Sequence, residues 1–279
     1  MRARPRRVRR IQRAEVRRRL DAELVRRGLV QTRTEAVEAV RSGLVTVGGR
    51  PAAKPASLID PTDPLEVASP RRFVSRGGEK LAAALDRFDV DPSGLECLDA
   101  GASTGGFTDC LLQRGAARVI AIDVGYGQLA WKLREDPRVV VLERTNVRTL
   151  DASSLAFRPA LVAADLSFIS LSTALPALAS VGAPRSRFVM LVKPQFEAGR
   201  KQVGKGGVVR DPEAWGDAIQ RVADACRSAS LAPQRIIASP LLGPAGNIEF
   251  FVLAGMDGDE SRFDVAAALE EGRVLRASA

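Results

Sequence analysis

The stretch Leu95-Glu96-Cys97-Leu98-Asp99-Ala100-Gly101-Ala102-Ser103-Thr104-Gly105-Gly106-Phe107 decides the fold. Leu95 to Asp99 reads as a short strand and the glycines as a tight loop. A helix follows, with Cys110, Leu111 and Leu112 on its apolar side. Glycines let the backbone pass close to a ligand, although any tight turn can hold them. A second strand, Ala117 to Ile122, ends in Asp123, 24 residues beyond Asp99. Further strands are expected at Arg138–Leu142, Leu161–Ala164 and Phe188–Val192, ending in Glu143, Asp165 and Lys193. This alternation predicts an α/β fold with a parallel, Rossmann-like sheet, in which ligands sit outside the carboxyl ends of the strands. Each strand-end residue alone reads equally well as a helix cap or a surface charge. Together, Asp99, Asp123, Glu143, Asp165 and Lys193 mark one candidate site.

The loop also narrows the ligand. Dinucleotide folds use a Gly-x-Gly-x-x-Gly frame to cradle a pyrophosphate, and Gly101, Gly105 and Gly106 do not fit that frame. An acid stands directly before the glycines instead. S-adenosylmethionine has no phosphate, and its amino-acid end carries an ammonium that an acid can hold. The region from Phe73 to Met256 is therefore expected to bind S-adenosylmethionine at its strand tips. Asp99, Gly101, Ser103, Gly105 and Gly106 are placed around the methionine end and adjoining ribose. Asp123 is placed at the ribose hydroxyls and Asn146 at the adenine edge. Gly204-Lys205-Gly206-Gly207 reads as a mobile substrate loop, with glycines wrongly spaced for a phosphate loop.

Composition removes several chemistries. The chain contains no histidine, which excludes Ser-His-Asp and Cys-His sites and any metal site that needs histidine. Cys97, Cys110 and Cys226 make no close pair and no ligand spacing, so they are expected to be reduced and buried, and no metal is expected. No run of about 18 apolar residues is present, and no apolar stretch follows the basic start. A cytoplasmic protein without a membrane partner is expected.

The positive charge lies at the front. Residues 1–80 carry 20 Lys and Arg against 9 Asp and Glu, whereas residues 81–279 carry 22 against 24. A polyanion partner contacted through the first part of the chain is expected. Ten arginines between Arg2 and Arg19 predict a basic, disordered arm over 1–17. A helix is expected from about Glu15 through Leu20 and Leu24, stopping at Gly28. Thr32 and Glu35 form a capping box before a second helix that ends at Gly43. Val45-Thr46-Val47 and Leu65-Glu66-Val67 read as short strands. The pieces Arg19-Leu20-Asp21, Gly28-Leu29, Arg33, Ala36 and Gly43 to Gly49 resemble an S4-like RNA-binding domain, here bounded at 18–69. That resemblance implies binding to structured, usually ribosomal, RNA. Arg19, Arg26, Arg27, Arg33 and Arg41 would meet its phosphates. A generic helical cap accounts for the same pieces. Pro70-Arg71-Arg72-Phe73-Val74 reads as a linker, residues 75–256 as the second domain, and residues 257–279 as a tail.

The second domain resembles the FtsJ-like ribose 2'-O-methyltransferases. The stretches that carry this are Val74 to Leu81, Asp99 to Asp109, Asp123 to Leu129, Asp165 to Ser170, Val192 to Glu197 and Gly243 to Phe250. The whole chain is similar to TlyA-type proteins, in which an S4-like domain precedes such a methyltransferase. This implies a Lys-Asp-Lys-Glu catalytic set at Lys80, Asp165, Lys193 and Glu249. It also implies methyl transfer to cytidine 2'-hydroxyls of ribosomal RNA, within ribosomal subunits and not on DNA. With no histidine available, proton transfer falls to Lys, Asp, Glu, Cys or the single tyrosine, Tyr126, and within the implied set Lys193 is chosen as the base. Lys80 taken alone opens an amphipathic helix, and Glu249 taken alone is a carboxylate in a strand that an arginine could balance. The competing readings are a non-catalytic RNA-binding or assembly factor with this fold, and a membrane-active haemolysin. A methyltransferase acting on small molecules or proteins suits the basic front poorly.

Overall fold

The computed structural model describes residues 17–68, 72–199 and 202–278. The expected basic arm lies outside them except for Arg17, as do Pro70 and Arg71 of the expected linker. The chain divides into two compact units, one up to Arg71 and one from Arg72.

The first unit comprises β1 (Arg18–Arg19), α1 (Leu20–Arg26), α2 (Arg33–Arg41), β2 (Val45–Val47), β3 (Arg50–Pro51), β4 (Leu58–Ile59) and β5 (Leu65–Val67). α1 begins later than expected, because Arg18 and Arg19 are drawn into an antiparallel pair with Ile59 and Leu58. Leu20 and Leu24, four apart on one helix face, are buried against Ala36, Val40 and Val45. Thr32 caps α2 by accepting from the Glu35 amide at 3.2 Å. Glu35 reaches back to the Gln31 amide rather than to that of Thr32, one residue off an ideal capping box. β2 lies between β3 and β5, so the expected strand pair has a third member.

The second unit contains α3 (Arg76–Phe88), β6 (Glu96–Ala100), α4 (Gly106–Gln113), β7 (Arg118–Ile122), α5 (Trp131–Arg134), β8 (Val139–Leu142), β9 (Leu161–Ala164), α6 (Leu171–Val181), β10 (Arg187–Val192), α7 (Pro194–Glu197), α8 (Pro212–Ser228), β11 (Ala232–Ala238), β12 (Phe250–Gly255) and α9 (Val265–Ala277). Its sheet runs β8-β7-β6-β9-β10-β12-β11. β12 is antiparallel to both neighbours, whereas β8, β7, β6, β9 and β10 pair in parallel. Strand residues alternate between two cores. Leu98, Ile120, Val162 and Met190 face α6 and α8, and Cys97, Val119, Leu161 and Val189 face α3 and α4. Burying each large apolar side chain stabilises by about 1.5–3 kcal/mol, so the strand ends are held on a firm frame. The strand order reverses between β6 and β9, where open α/β sheets form their binding crevice.

Two boundaries differ from the sequence reading. Phe73 is not linker: it is 2% exposed and packs in the core shared with Leu81 and Leu85. The described part of the segment, residues 257–278, is not a tail. Asp264 caps α9, Ala268 is buried in the core, and Gly272 lies against Ile248 and Phe250. Its apolar residues come chiefly as one run, Val265 to Leu269, and one pair, Val274-Leu275, rather than at helical spacing, which hid the helix from a periodicity reading. The three cysteines are free and buried, and burial pushes each thiol up to about 12, which leaves them inert at neutral pH.

Candidate active site

A cavity of about 730 Å³ opens at the carboxyl ends of β6, β7, β9 and β10. One wall is the glycine loop. Gly101 has φ +87°, and a Cβ there would come within 2.5 Å of the Asp165 carbonyl, so the loop reaches the next strand only with glycine at this point. Asp99 is fully buried. Its Oδ2 accepts from the Thr108 amide at 2.8 Å and the Thr108 hydroxyl at 2.7 Å, while its buried Oδ1 has no partner. Burial pushes this carboxyl up to about 7, with the charges of Asp165 and Asp123 adding to the effect. An unpartnered carboxylate oxygen in the wall of a cavity suits a cation. Asp123, at the end of β7, accepts from the Ser103 amide at 2.7 Å and the Gly125 amide at 2.6 Å. These bonds fix the turn and leave lone pairs on both oxygens for hydroxyl donors.

The other wall carries two lysine–carboxylate pairs. Lys80, in the second turn of α3, donates to Glu249 Oε2 at 2.6 Å, and both residues are buried. Glu249 stands one residue before β12 rather than inside a strand, and it pairs with a lysine rather than an arginine. Burial holds its carboxyl above the ordinary glutamate value, with Lys80 and Lys193 opposing. Lys193, at the end of β10, lies 2.6 Å from Asp165 Oδ1 and donates to the Ser167 hydroxyl at 2.8 Å. The four residues Lys80, Asp165, Lys193 and Glu249 line the same cavity as Asp99, Gly101, Ser103, Gly106, Asp123 and Asn146.

Two of the expected positions lie elsewhere. Gly105 turns away from the cavity, and a Cβ on it would meet Leu133 and Leu129; its φ of +94° lets the loop enter α4. Glu143 is also outside, taken up by Arg134 and the Gly127 amide. Asn146 lines the cavity, but its oxygen caps the short helical turn Val147–Thr149 by accepting from the Arg148 amide. Only its amide NH2 remains to offer a ligand. The Gly204–Gly207 segment does not line the cavity; Asn247 bonds to Gly207 and Val209 and ties it down.

Three groups escaped the sequence reading. Ser167 carries no mark in the sequence, because a serine between two strands signals nothing by itself. Phe168 is 94% exposed at the cavity mouth with φ +66°. Glu197 is buried and accepts from the Ser170 and Ser172 hydroxyls at 2.7 and 2.9 Å and from the Leu171 amide. It thus joins the loop after β9, which holds Asp165 and Ser167, to the turn after Lys193. Its place four residues beyond Lys193 was the available signal. Among the described residues, no acid, cysteine and histidine cluster could hold a metal, and no helix is long and apolar enough to cross a membrane.

In the first unit, Arg19 and Arg33 bond to Asp21, and Arg26 and Arg27 bond to Glu23. Arg19, Arg26, Arg33 and Arg41 are exposed. Arg27 differs from the sequence expectation. Its Nη groups donate to the carbonyls of Asp63 and Pro61 at 2.8 and 2.7 Å, which commits it to the interior of the unit.

Known proteins place both units. Residues 73–256 match the model of the FtsJ-like methyltransferases and residues 18–65 that of the S4 domain. The 16S/23S rRNA (cytidine-2'-O)-methyltransferase TlyA of Mycobacterium tuberculosis is 53% identical over 84% of this chain and 88% of its own length. Hemolysin A of Brachyspira hyodysenteriae is 39% identical over 83% and 97%. A Lactococcus lactis protein solved as a candidate hemolysin superposes with a TM-score of 0.70 at 42% identity, over 73% of this chain and all of that one. With both domain models matched in order and the cavity at the strand tips, the chain belongs to the TlyA family, S4-bearing proteins with an FtsJ-like methyltransferase domain.

Proposed function

We propose that this protein transfers the methyl group of S-adenosylmethionine to the ribose 2'-hydroxyl of a cytidine in ribosomal RNA. The observation that carries the reading is the meeting of two lysine–carboxylate pairs with the glycine loop, Asp99 and Asp123 around one cavity, in a chain without histidine. The cavity is of the size that takes a ligand of this class. The orphaned oxygen of Asp99 fits an ammonium, and Asp123 fits a ribose diol. Ser103 and Gly106 line the methionine end, and the Asn146 amide offers a donor at the base.

When bound, S-adenosylmethionine supplies a methyl on a positively charged sulfur, so that the new O–C bond forms as the S–C bond breaks. Lys193, as the neutral amine, takes the hydroxyl proton on Nζ and becomes the ammonium that Asp165 pairs with. Asp165 and Ser167 hold that nitrogen in place, each at under 3 Å. Lys80, held by Glu249, stabilises the oxygen as negative charge develops on it. The larger share of the acceleration comes from holding the hydroxyl in line with the methyl. The relatives named for ribosomal RNA and cytidine-2'-O support the substrate class, and the S4 unit supplies the RNA contact. A ribosomal substrate puts the reaction in the cytoplasm. The test is transfer of labelled methyl to purified ribosomal subunits, followed by mapping of the modified nucleotide. A methyl on a base, or transfer to neither subunit, rejects the reading.

A further inference from the structure

Two acids sit among the arginines of the first unit. Asp21 and Glu23 are 2% and 1% exposed. Asp21 accepts from Arg19 Nε and Nη2 at 3.1 and 2.7 Å, and from Arg33 Nε at 3.3 Å. Glu23 accepts from Arg26 through both oxygens and from Arg27 Nε at 2.9 Å, and Arg18 lies 3.6 Å away. The guanidiniums of Arg19 and Arg26, ahead of their neighbours, hold these carboxyls down to about 2. Both acids are therefore charged throughout the neutral range. Arg27 is spent on backbone carbonyls. The other four arginines keep 49, 47, 52 and 60% of their side-chain surface exposed, in the order Arg18, Arg19, Arg26 and Arg33.

On a surface that meets a polyanion, each acid removes one positive charge, and binding driven by counterion release weakens accordingly. What the acids provide in return is order. A free arginine loses its side-chain freedom when it grips a phosphate. An arginine already forked onto a buried carboxylate has lost it during folding. Arg33 donates to Asp21 through Nε, which keeps both Nη groups for a phosphate, and Arg19 and Arg26 each keep Nη1.

We infer that Asp21 and Glu23 are positioning residues for RNA binding, holding Arg18, Arg19, Arg26 and Arg33 as a fixed array for backbone phosphates, so that removing these negative charges weakens binding. The inference rests on the reading that the S4 unit contacts ribosomal RNA.

The experiment measures the affinity of the full chain for purified small and large ribosomal subunits across a salt series. Charge counting predicts that Asp21→Asn and Glu23→Gln bind more tightly and with a steeper salt dependence. Positioning predicts binding about five- to tenfold weaker for each, with the thermal unfolding transition retained. Equal or tighter binding overturns the inference. Charge-conserving surface variants test it without risk to the fold. Arg26→Lys and Arg33→Lys keep the charge and lose the fork; each is expected to bind about threefold more weakly, and unchanged affinity overturns the inference. A further comparison separates positioning from support of the fold. Added to Arg19→Met/Arg33→Met, Asp21→Asn is expected to have no further effect. A further loss as large as in the native background assigns Asp21 to the fold instead and overturns its positioning role. If Arg19→Met/Arg33→Met itself binds normally, it is the RNA reading of this surface that fails.

Discussion

Lys80–Glu249 and Lys193–Asp165 are pairs of one chemical kind and one length, 2.6 Å, in different surroundings. The first joins α3 to the lead-in of β12, with side chains 7% and 0% exposed. The second joins the ends of neighbouring parallel strands, with side chains 11% and 25% exposed and a serine hydroxyl as third partner. A sealed pair resists rearrangement, because separating it strands a charge in the interior. A pair at the rim can exchange a contact for one with an entering hydroxyl. On the proposed function, the contrast fits different work for the two lysines, Lys193 at the proton and Lys80 as a fixed positive charge. Lys193→Ala is the sharpest way to break the comparison. Its turnover is expected to fall by about 10²–10⁴-fold, with folding, cofactor affinity and subunit affinity retained. Single-turnover methyl transfer measures this, and unchanged turnover removes Lys193 from the proton transfer.

The sealed pair should respond in stability as well as in activity. Glu249→Ala leaves the Lys80 ammonium buried without its partner and is expected to destabilise the second unit by about 3–5 kcal/mol. Removing both charges in Lys80→Met/Glu249→Leu should recover most of that loss while activity stays low. Denaturant unfolding beside a turnover assay reads both effects. The corresponding rim variant, Asp165→Asn, is expected to change stability by less than about 1 kcal/mol and to lower turnover all the same. Equal destabilisation at the two pairs would erase the distinction between them.

How far the sequence foretold this site follows from the same contrast. Asp99, Asp123, Asp165 and Lys193 were legible because each ends a strand, and the sheet brings strand ends together. Glu143 obeyed that rule and is still outside, since the Arg134 guanidinium and the Gly127 amide claim it. Strand position says where a side chain begins and not what holds it. Lys80 and Glu249 end no strand and are 169 residues apart; only resemblance could join them. Ser167 and Glu197 act through loop conformation, which hydrophobic periodicity does not encode. In the first unit the arginines were legible as charge, whereas the buried acids between them were not. Asp21 and Glu23 stand directly beside apolar Leu20 and Leu24 in the sequence and read as the polar side of an amphipathic helix until their burial is seen.

Asp99 gives the smallest expected effect and extends the comparison to a carboxylate with no lysine at all. Its partners are the Thr108 amide and hydroxyl, and burial holds it up to about 7, with the negative charges of Asp165 and Asp123 adding to the effect. Between the ordinary aspartate value and about 7, the folded protein keeps a proton that the unfolded chain has lost. This group therefore lowers the stability of the ligand-free protein as pH rises through that window. On the proposed function, a bound ammonium would reverse the balance by favouring the ionised form, and proton release is expected when S-adenosylmethionine binds. Calorimetric Kd values should rise by about tenfold for each pH unit below about 7 and level off above it. Titrations in buffers of different ionisation enthalpy should show proton release near pH 6.5. Asp99→Asn should bind about ten- to a hundredfold more weakly at pH 8, the loss of one charge-assisted bond, and should show no pH slope. A slope that persists in Asp99→Asn would move the titrating group elsewhere in the cavity and leave the Asp99 oxygen without its ammonium.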